Sequence, residues 1–185
     1  MCSSDLKNPK LPPIAMGSHL DTQPTGGKFD GILGVIGAVE AMKTLVTAGY
    51  ETNAPIEVVD WANEEGSRFA PAMLASGVFA GVFTPEYAWE REDRQGVKYG
   101  DALAAIGYKG EEKAGDHPLQ AYFELHIEQG PILEDEGKTI GVGKVLRYKP
   151  SKDTALTLAA KEEAKTPATP LSTISSPAKI GRAHV

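Results

Sequence analysis

The fold is decided by residues 14–49, which read IAMGSHLDTQPTGGKFDGILGVIGAVEAMKTLVTAG. This stretch opens with the short apolar run Ile14–His19, which predicts a buried strand. A loop rich in glycine, proline and threonine follows at Gln23–Lys28. Apolar residues then recur at helical spacing as far as Gly49, and this spacing predicts a helix. The recurring residues are Ile32, Val35, Ile36, Val39, Met42 and Val46.

The segments that follow extend this pattern into an α/β sheet. Ile56–Trp61 is a second run rich in β-forming residues, and a proline precedes it. Because strand, helix and strand succeed one another, we predict a sheet with a right-handed crossover. Ala70–Phe79 is apolar with small residues and predicts a packed helix. Tyr87–Asp116 is polar and charged, which predicts a surface excursion with a short helix near Asp101–Ile106.

Two later stretches predict further strands, and the composition then changes. Tyr122–Ile127 alternates between polar and apolar residues, which is typical of a strand with two unlike faces. One face would carry Phe123, Leu125 and Ile127, and the other Tyr122, Glu124 and His126. Ile140–Val145 is a candidate for another strand. Lys, Ala, Thr, Pro and Ser dominate Ser151–Ala178, which predicts a linker or a frayed tail.

The composition excludes several classes of function. The chain of 185 residues has a formal net charge of −6, which argues against a surface for nucleic acid or an anionic membrane. No uninterrupted apolar run approaches the roughly 20 residues that cross a bilayer. The N-terminal region, with Asp5, lacks the basic start and apolar stretch of a signal peptide. Cys2 is the one cysteine, so no internal disulfide can form and a cytoplasmic location is expected.

Both ends of the sequence read as foreign. Residues 1–6 read MCSSDL and residues 180–185 read IGRAHV. One DNA sequence encodes the second hexapeptide, and its reverse complement encodes Met-Cys-Ser-Ser-Asp if GTG serves as the start codon. We therefore expect both hexapeptides to derive from a sequencing adapter on either side of a short insert. Chance similarity between short peptides is the alternative.

Ionisable residues cluster in four short stretches just beyond the predicted strands. They read SHLD at 18–21, FDG at 29–31, NEEG at 63–66 and LHIE at 125–128. Open α/β sheets bind ligands at the carboxyl ends of their strands, and imidazole with carboxylate suits a divalent ion such as zinc. Any one stretch alone favours ordinary strand histidines beside a solvated acidic rim. The four together favour a metal site.

The adjacent pair Glu64–Glu65 is the most informative of these groups. Neighbouring carboxylates repel each other, but a bound dication reverses this effect. One glutamate then binds the metal, while the other takes a proton from water that the metal activates. Asp21 lies two residues after His19 on the same face and is a candidate partner for its second ring nitrogen. The glycine-rich loop brings Asp30 back beside His19, and one aspartate can bridge two ions about 4 Å apart.

Three stretches carry a resemblance to a known family. They are Gly17–Val35 (GSHLDTQPTGGKFDGILGV), Asn63–Gly81 (NEEGSRFAPAMLASGVFAG) and Phe123–Glu134 (FELHIEQGPILE). The sequence resembles the amidase/hydantoinase/carbamoylase family almost continuously from about Pro13 to Val142. That family contains N-carbamoyl-L-amino-acid hydrolases, β-ureidopropionases and allantoate amidohydrolases, and it is related to dinuclear zinc aminoacylases and peptidases. The resemblance implies a zinc-aminopeptidase-like catalytic domain, with a mixed sheet flanked by helices, that leads into an α+β lid or dimerisation domain.

The resemblance also implies a site with two divalent metal ions, either zinc or else manganese, cobalt or nickel. The implied ligands are His19, Asp30, Glu65 and His126, with Asp30 bridging the two ions. The other implied roles are general base for Glu64, partner of His19 for Asp21 and substrate contact for Gln129. The histidine at position 126 favours the carbamoylase branch, because peptidase relatives more often have a carboxylate there. A homodimer is expected for the full-length protein.

The sequence departs from the family pattern toward its end. A fifth metal ligand, a histidine, has no counterpart, because His117 lies in a polar loop and His184 in a suspect hexapeptide. Residues 162–172, EEAKTPATPLS, resemble the start of the lid but have Lys165 where the family has a histidine. A sequence error or a short frame shift between Gly143 and Ala178 would also explain this departure.

These features predict a fragment of an enzyme that hydrolyses a C–N bond in small molecules, namely N-carbamoyl amino acids or related ureido compounds. An aminoacylase- or dipeptidase-type hydrolase could use the same site on an acyl amide. An inactive partial domain that lacks one metal ligand is the alternative from another class. We expect a partial catalytic domain at 7–150 and a degraded start of the lid at 151–179. Arg68 is predicted to be structural, with a buried stem and an acidic partner.

Overall fold

The computed structural model describes residues 7–142 and the backbone of three short strands beyond them. The suspect hexapeptides at the two ends and most of the expected lid segment lie outside the described residues. The strands are β1 (Ile14–Ser18), β2 (Ile56–Asp60), β3 (Ala121–Phe123), β4 (Val145–Tyr148), β5 (Leu156–Ala159) and β6 (Ala178–Lys179). The helices are α1 (Ile32–Thr47), α2 (Leu74–Phe79), α3 (Pro85–Trp89), α4 (Tyr99–Ala105) and α5 (Ile132–Asp135). Within the described part of the chain, no helix has both the length and the apolar character needed to span a bilayer.

The main sheet has four strands in the order β3-β1-β2-β6, and each neighbouring pair is parallel. Met16 in the middle of β1 lies opposite Val58 of β2 and Phe123 of β3. Parallel strands end at a common edge, so the loops after β1, β2 and β3 meet there. β4 and β5 form a separate antiparallel ladder. The predicted α/β class is confirmed, with the antiparallel pair outside the main sheet.

Helix α1 packs against β1 and β2 and supplies the first part of the core. Met42 of the helix and Ile56 of β2 are buried together, and Val58 packs against them. Gly34 lies where the helix crosses the carboxyl end of β1, and a Cβ at this position would come within 2.6 Å of Ser18 Cβ. Because glycine lacks that atom, α1 lies close to the end of β1.

A second apolar cluster lies among α2, α3 and α4, and we call it the helical cluster. Its buried members are Phe69, Leu74, Ala75, Val78, Ala88, Tyr99 and Leu103. Three of these residues belong to Tyr87–Asp116, so this segment, which is mostly at the surface as predicted, also contributes to the core. Its few apolar residues, rather than its mean polarity, decide which face of α3 and α4 is buried. The short helix predicted within that segment is present as α4.

The helix predicted at Ala70–Phe79 begins later, at Leu74. Pro71 disfavours helical backbone at the residue before it, and Met73 has a left-handed φ of 57°. The N–H of Met73 donates to the carbonyl of Glu64 at 2.6 Å. The backbone before α2 is therefore bonded to the turn that carries Glu64 instead of to its own helix.

Strand β3 is shorter than its alternating sequence predicts. It ends at Phe123, whereas the pattern continues to Ile127. Beyond the strand, the side chain of Glu124 bonds to Ser18 at the end of β1 and that of His126 contacts Asp30, and the ladder with β1 stops. The apolar face of the pattern is partly exposed, at 43% for Phe123 and 51% for Leu125.

The strand predicted at Ile140–Val145 is wrong in its position, because β4 begins at Val145. Ile140 and Val142 are 60% and 69% exposed and lie outside the strands of the described chain. Glycines at 141 and 143 interrupt the run. Glycine disfavours a strand because it has no side chain to pack on the sheet.

Candidate metal centre

Two histidines and an aspartate meet at the carboxyl edge of the main sheet. His19 follows β1 directly, Asp30 lies just before α1, and His126 lies just beyond β3. His19 is 2% exposed and Asp30 is 9% exposed. Asp30 Oδ1 lies 3.2 Å from His126 Nε2 and 4.0 Å from His19 Nε2. Since one ligand atom from each residue lies within 4.8 Å of the others, these three residues can hold a metal ion.

Each histidine turns Nδ1 toward a backbone carbonyl and Nε2 toward Asp30. His19 Nδ1 lies 2.8 Å from the carbonyl oxygen of Asp21, and His126 Nδ1 lies 2.8 Å from that of Ile127. A carbonyl oxygen only accepts, so Nδ1 carries the hydrogen and the lone pair of the neutral ring is on Nε2. The lone pairs of His126 Nε2 and Asp30 Oδ1 therefore face each other, an arrangement that a cation between them stabilises.

Asp21 acts chiefly on the neighbouring loop. Its carboxylate accepts the N–H of Glu64 at 2.9 Å and the N–H of Glu65 at 3.0 Å. Asp21 Oδ1 lies 3.8 Å from His19 Nδ1, so the expected contact with the ring is made by the backbone carbonyl instead. Asp21 thereby ties the turn after β2 to the loop after β1.

Glu64 and Glu65 form a second candidate metal-binding group with His19. Glu64 Oε2 lies 3.6 Å from His19 Nε2. Burial raises the pKa of Glu64, and the negative charges of the acids around it raise the pKa further, against an opposing effect of His19. Both glutamates lie beside the same histidine, so their division into ligand and base stays a prediction.

Two buried carboxylate oxygens have no hydrogen-bond partner within the described residues, namely Asp30 Oδ1 and Glu65 Oε1. A charged oxygen that is removed from water without a partner is costly, and a bound cation removes that cost. Both acids belong to candidate metal-binding groups, and their donor set of imidazole nitrogen and carboxylate oxygen is one that zinc prefers. The residues of the centre therefore fit divalent metal ions.

Gln129, which was expected to face the substrate, places its amide on Asp30. Gln129 Nε2 donates to Asp30 Oδ2 at 2.7 Å. The backbone of Gln129 has a left-handed φ of 55°, an uncommon conformation for a residue with a side chain. Asp30 thus has one oxygen bonded and one bare, and its bridging of two ions stays a prediction.

A chain of hydrogen bonds that sequence reasoning missed joins the ends of three strands. Ser18 Oγ donates to Glu124 Oε1 at 2.5 Å, and Tyr122 Oη donates to Glu124 Oε2 at 3.2 Å. Trp61 Nε1 donates to Tyr122 Oη at 2.9 Å. Burial raises the pKa of Tyr122 far above its ordinary value, so the phenol stays a donor. The alternating pattern placed Tyr122 and Glu124 on one face, but their partners come from other strands.

Asn63 is a second residue that sequence reasoning missed. It is 8% exposed and has a left-handed φ of 56°. Asn63 Nδ2 donates to the carbonyl of Phe69 at 2.6 Å, and its Oδ1 accepts the N–H of Phe69 at 3.3 Å. It therefore holds the segment before α2 against the turn of Glu64 and Glu65. The available signal was an asparagine at the start of a turn, since asparagine adopts left-handed backbone more readily than most residues.

Arg68 and His117 contact acids outside the two candidate metal-binding groups. Arg68 Nε and Nη2 each lie 2.9 Å from Asp93 Oδ2, and the guanidinium lies 4.8 Å from the centre of the Phe69 ring. Arg68 has the expected acidic partner, and its side chain as a whole is 57% exposed. His117 Nε2 lies 2.7 Å from Glu57 Oε2, near the start of β2 and not at its carboxyl end.

Comparison with known proteins identifies the family. The model of peptidase family M20/M25/M40 matches residues 15–180. The chain belongs to this family. An N-carbamoyl-L-amino-acid amidohydrolase from Rhizobium meliloti is 60% identical over 135 residues, which are 73% of this chain and 32% of that protein. A ureidoglycolate hydrolase from Arabidopsis thaliana is 40% identical over 144 residues, which are 72% of this chain and 30% of that protein.

Solved structures of M20/M25/M40 relatives have the same fold. An amidase of the hydantoinase/carbamoylase family from Burkholderia multivorans has a TM-score of 0.71 and 53% identity, over 78% of this chain and 39% of that one. A putative amidohydrolase/peptidase from Burkholderia cenocepacia has a TM-score of 0.73 and 53% identity, over 75% of this chain and 34% of that one. The family resemblance inferred from the sequence is confirmed. The chain spans about a third of the length of the curated relatives it matches.

Proposed function

We propose that the chain is the metal-binding part of a hydrolase that cleaves the C–N bond of N-carbamoyl amino acids or related ureido compounds. The observation that carries this proposal is the buried, unpartnered Oδ1 of Asp30 beside the Nε2 atoms of His19 and His126. The names of the relatives, an N-carbamoyl-L-amino-acid amidohydrolase and a ureidoglycolate hydrolase, support ureido chemistry. The activity is proposed for a polypeptide of the relatives' length that contains these residues.

Two divalent metal ions are the proposed cofactors, with zinc preferred and manganese, cobalt or nickel as alternatives. His19 and His126 would hold one ion, Glu65 would hold the other, and Asp30 would contribute to both. Such ions, when bound, polarise the scissile carbonyl and lower the pKa of water to about 7. The mixed imidazole and carboxylate donors support zinc.

Glu64 is the proposed general base. Its Oε2 lies 3.6 Å from His19 Nε2, at the edge of the metal-binding group. Glu64 takes a proton from the attacking water and delivers it to the departing nitrogen as the C–N bond breaks. Asp21 holds the backbone of Glu64 and Glu65 through two N–H bonds. Gln129, whose Nε2 donates to Asp30, is the proposed substrate contact through its amide oxygen.

An aminoacylase- or dipeptidase-type hydrolase is the second candidate, and the description of the matching family as a peptidase family favours it. The histidine at position 126 favours the carbamoylase reading, because the resemblance associates a carboxylate there with peptidases. Homodimerisation is proposed from the same resemblance. A cytoplasmic location is proposed from the single cysteine, Cys2.

The test uses a chimaera in which residues 7–142 replace the matching segment of the Rhizobium meliloti relative. Metal content is measured beside hydrolysis of N-carbamoyl amino acids, N-acetyl amino acids and dipeptides. Glu64→Gln keeps the size of the side chain and removes its basicity, so we expect kcat to fall by about 10²–10⁴-fold with both ions still bound. Glu86→Gln, at an exposed residue in the first turn of α3, is the matched control and is expected to retain activity.

Four outcomes would count against this proposal. A chimaera without bound metal, or a Glu64→Gln variant with full activity, contradicts the assignment of the centre. Turnover of N-acetyl amino acids or dipeptides without turnover of N-carbamoyl amino acids favours the second candidate. Two bound ions with no hydrolysis of any substrate would indicate an inactive metal-binding domain.

A further inference from the structure

Asp30 and Glu65 each have one buried carboxylate oxygen without a hydrogen-bond partner in the described part of the chain. The other oxygen of each acid accepts a hydrogen bond from a glutamine. Gln129 Nε2 donates to Asp30 Oδ2 at 2.7 Å, and Gln23 Nε2 donates to Glu65 Oε2 at 2.8 Å. The remaining oxygens, Asp30 Oδ1 and Glu65 Oε1, are buried and have no hydrogen-bond partner among the described residues. The two carboxylates are therefore held in the same way, although the two glutamines come from different loops.

We propose that Gln23 is a positioning residue that makes Glu65 a metal ligand through a single oxygen. The inference rests on the proposed function, in which Glu65 binds one of the ions. A carboxylate without restraint rotates and presents either oxygen or both. An amide N–H on Oε2 stops this rotation and leaves Oε1 for the ion. Glutamine is neutral, so the carboxylate keeps its full charge for the cation, which a lysine or arginine would partly offset.

The backbone of Glu65 is held by the same loop as its side chain. Asp21 lies two residues before Gln23, and its Oδ2 accepts the N–H of Glu65 at 3.0 Å. The N–H of Gly26 donates to the carbonyl of Gln23 at 2.9 Å, which closes a turn directly after Gln23. The same loop continues to Asp30, so one segment fixes Glu65 and carries the acid proposed to lie between the ions.

The exposure of Gln23 makes the inference testable. Its side chain lies at the surface of the loop and contributes nothing to either apolar cluster. Removing it therefore leaves the packed core unchanged, and a purely structural role predicts little change in metal binding. A positioning role predicts a selective loss of the ion that Glu65 binds.

The test measures metal binding instead of activity. Metal-free protein is titrated with Co²⁺, whose visible absorption reports the ligands around each ion, in the 185-residue chain and in the chimaera. We expect Gln23→Ala to weaken the ion that needs Glu65 by about 10–100-fold, and the ion bound by His19 and His126 to keep its affinity. Gln95→Ala, at an exposed glutamine away from the centre, is the matched control.

A double-mutant cycle with Glu65→Ala separates positioning from general loosening of the site. If Gln23 acts through Glu65, Gln23→Ala adds no further loss to Glu65→Ala. Gln23→Glu places an acceptor where the donor was, so it weakens the same ion more than Gln23→Ala does. Unchanged affinity in Gln23→Ala, or additive losses in the cycle, overturns the role of Gln23 and leaves the proposed function intact. Failure of both wild-type proteins to bind Co²⁺ overturns the metal centre itself, and with it both proposals.

Discussion

The helical cluster packs apolar side chains, whereas the candidate metal centre gathers charged ones. Leu74 is 0% exposed, and the rings of Phe69 and Tyr99 meet edge-on with centres 5.2 Å apart. At the centre, four carboxylates surround His19, which is itself 2% exposed. These carboxylates belong to Asp21, Asp30, Glu64 and Glu65. Apolar burial stabilises the cluster whatever is bound, but like charges at the centre repel one another, and a bound cation would offset that repulsion.

Both regions bury polar atoms that have no hydrogen-bond partner among the described residues. The two regions differ in whether those atoms belong to neutral or ionisable groups. The helical cluster buries Trp89 Nε1 and Tyr99 Oη without a hydrogen-bond partner in the described chain, and both groups are neutral. The candidate metal centre buries one oxygen each of Asp30 and Glu65 without a hydrogen-bond partner in the described chain, and these side chains can carry a negative charge. Burying a neutral donor costs much less than burying a charge, so a bound ion would stabilise the candidate metal centre more than the helical cluster.

The largest expected effect comes from the helical cluster. Leu74→Ala removes a fully buried side chain and leaves a cavity, so we expect the free energy of unfolding to fall by about 2–5 kcal/mol. Urea denaturation measures this loss, which is expected to be equal in zinc and in a chelator. Val82→Ala is the control, because Val82 is 49% exposed. A loss that appeared only in the presence of zinc would break the contrast between the regions.

The next effect in size belongs to the metal centre. Zinc at one hundred times its Kd is expected to raise the free energy of unfolding by about 2.7 kcal/mol, and a chelator removes the gain. Asp30→Asn takes away the charge that faces both histidines, so most of the gain is lost. Leu74→Ala, which lowers overall stability, keeps the gain. Equal stabilisation of Asp30→Asn and wild type by zinc would show that the ion binds elsewhere.

A smaller effect is expected between α2 and the end of β3, at Trp61. Its ring lies 5.3 Å from that of Phe79 in α2, and its Nε1 donates to Tyr122. Tyr122→Phe leaves that N–H and one oxygen of Glu124 unpartnered, at an expected cost of about 1–3 kcal/mol with or without zinc. Tyr108→Phe is the control, because Tyr108 is 56% exposed. An equal cost in both variants would mean that the buried bonds contribute nothing.

The smallest effect is a gain in stability and depends on pH. Burial raises the pKa of Glu64 above its ordinary 4.5 in the folded, metal-free protein. As pH rises, the unfolded state loses this proton first, so the ionised carboxylate destabilises the folded state at neutral pH. Glu64→Gln is therefore expected to stabilise the metal-free protein at pH 7 by less than about 1 kcal/mol, with no gain below about pH 4. Thermal denaturation across this pH range measures the effect, and a loss of stability at pH 7 would contradict it.

Local sequence pattern was sufficient for the first half of the sheet. Strand β1, helix α1 and strand β2 lie within a residue or two of their predicted bounds, because burial on one face imposes a strong period on each segment. The same reasoning placed the start of α2 too early, because Met73 adopts left-handed backbone and bonds to the turn of Glu64. It also missed α3 and the burial of apolar residues from α3 and α4 in one cluster with those of α2, although it placed the short helix α4.

The sequence alone determined the fold class, the family and the stretches that could bind metal, because periodicity and short motifs are written in consecutive residues. The tertiary structure decided which atoms meet. Ser18 and Glu124 are 106 residues apart, and Gln23 and Glu65 are 42 apart, yet each pair is bonded. Their contact depends on the strand order β3-β1-β2, which brings the ends of three strands to one edge. A residue's own neighbours in sequence carry no record of that order, so these partners emerge only once the sheet is assembled.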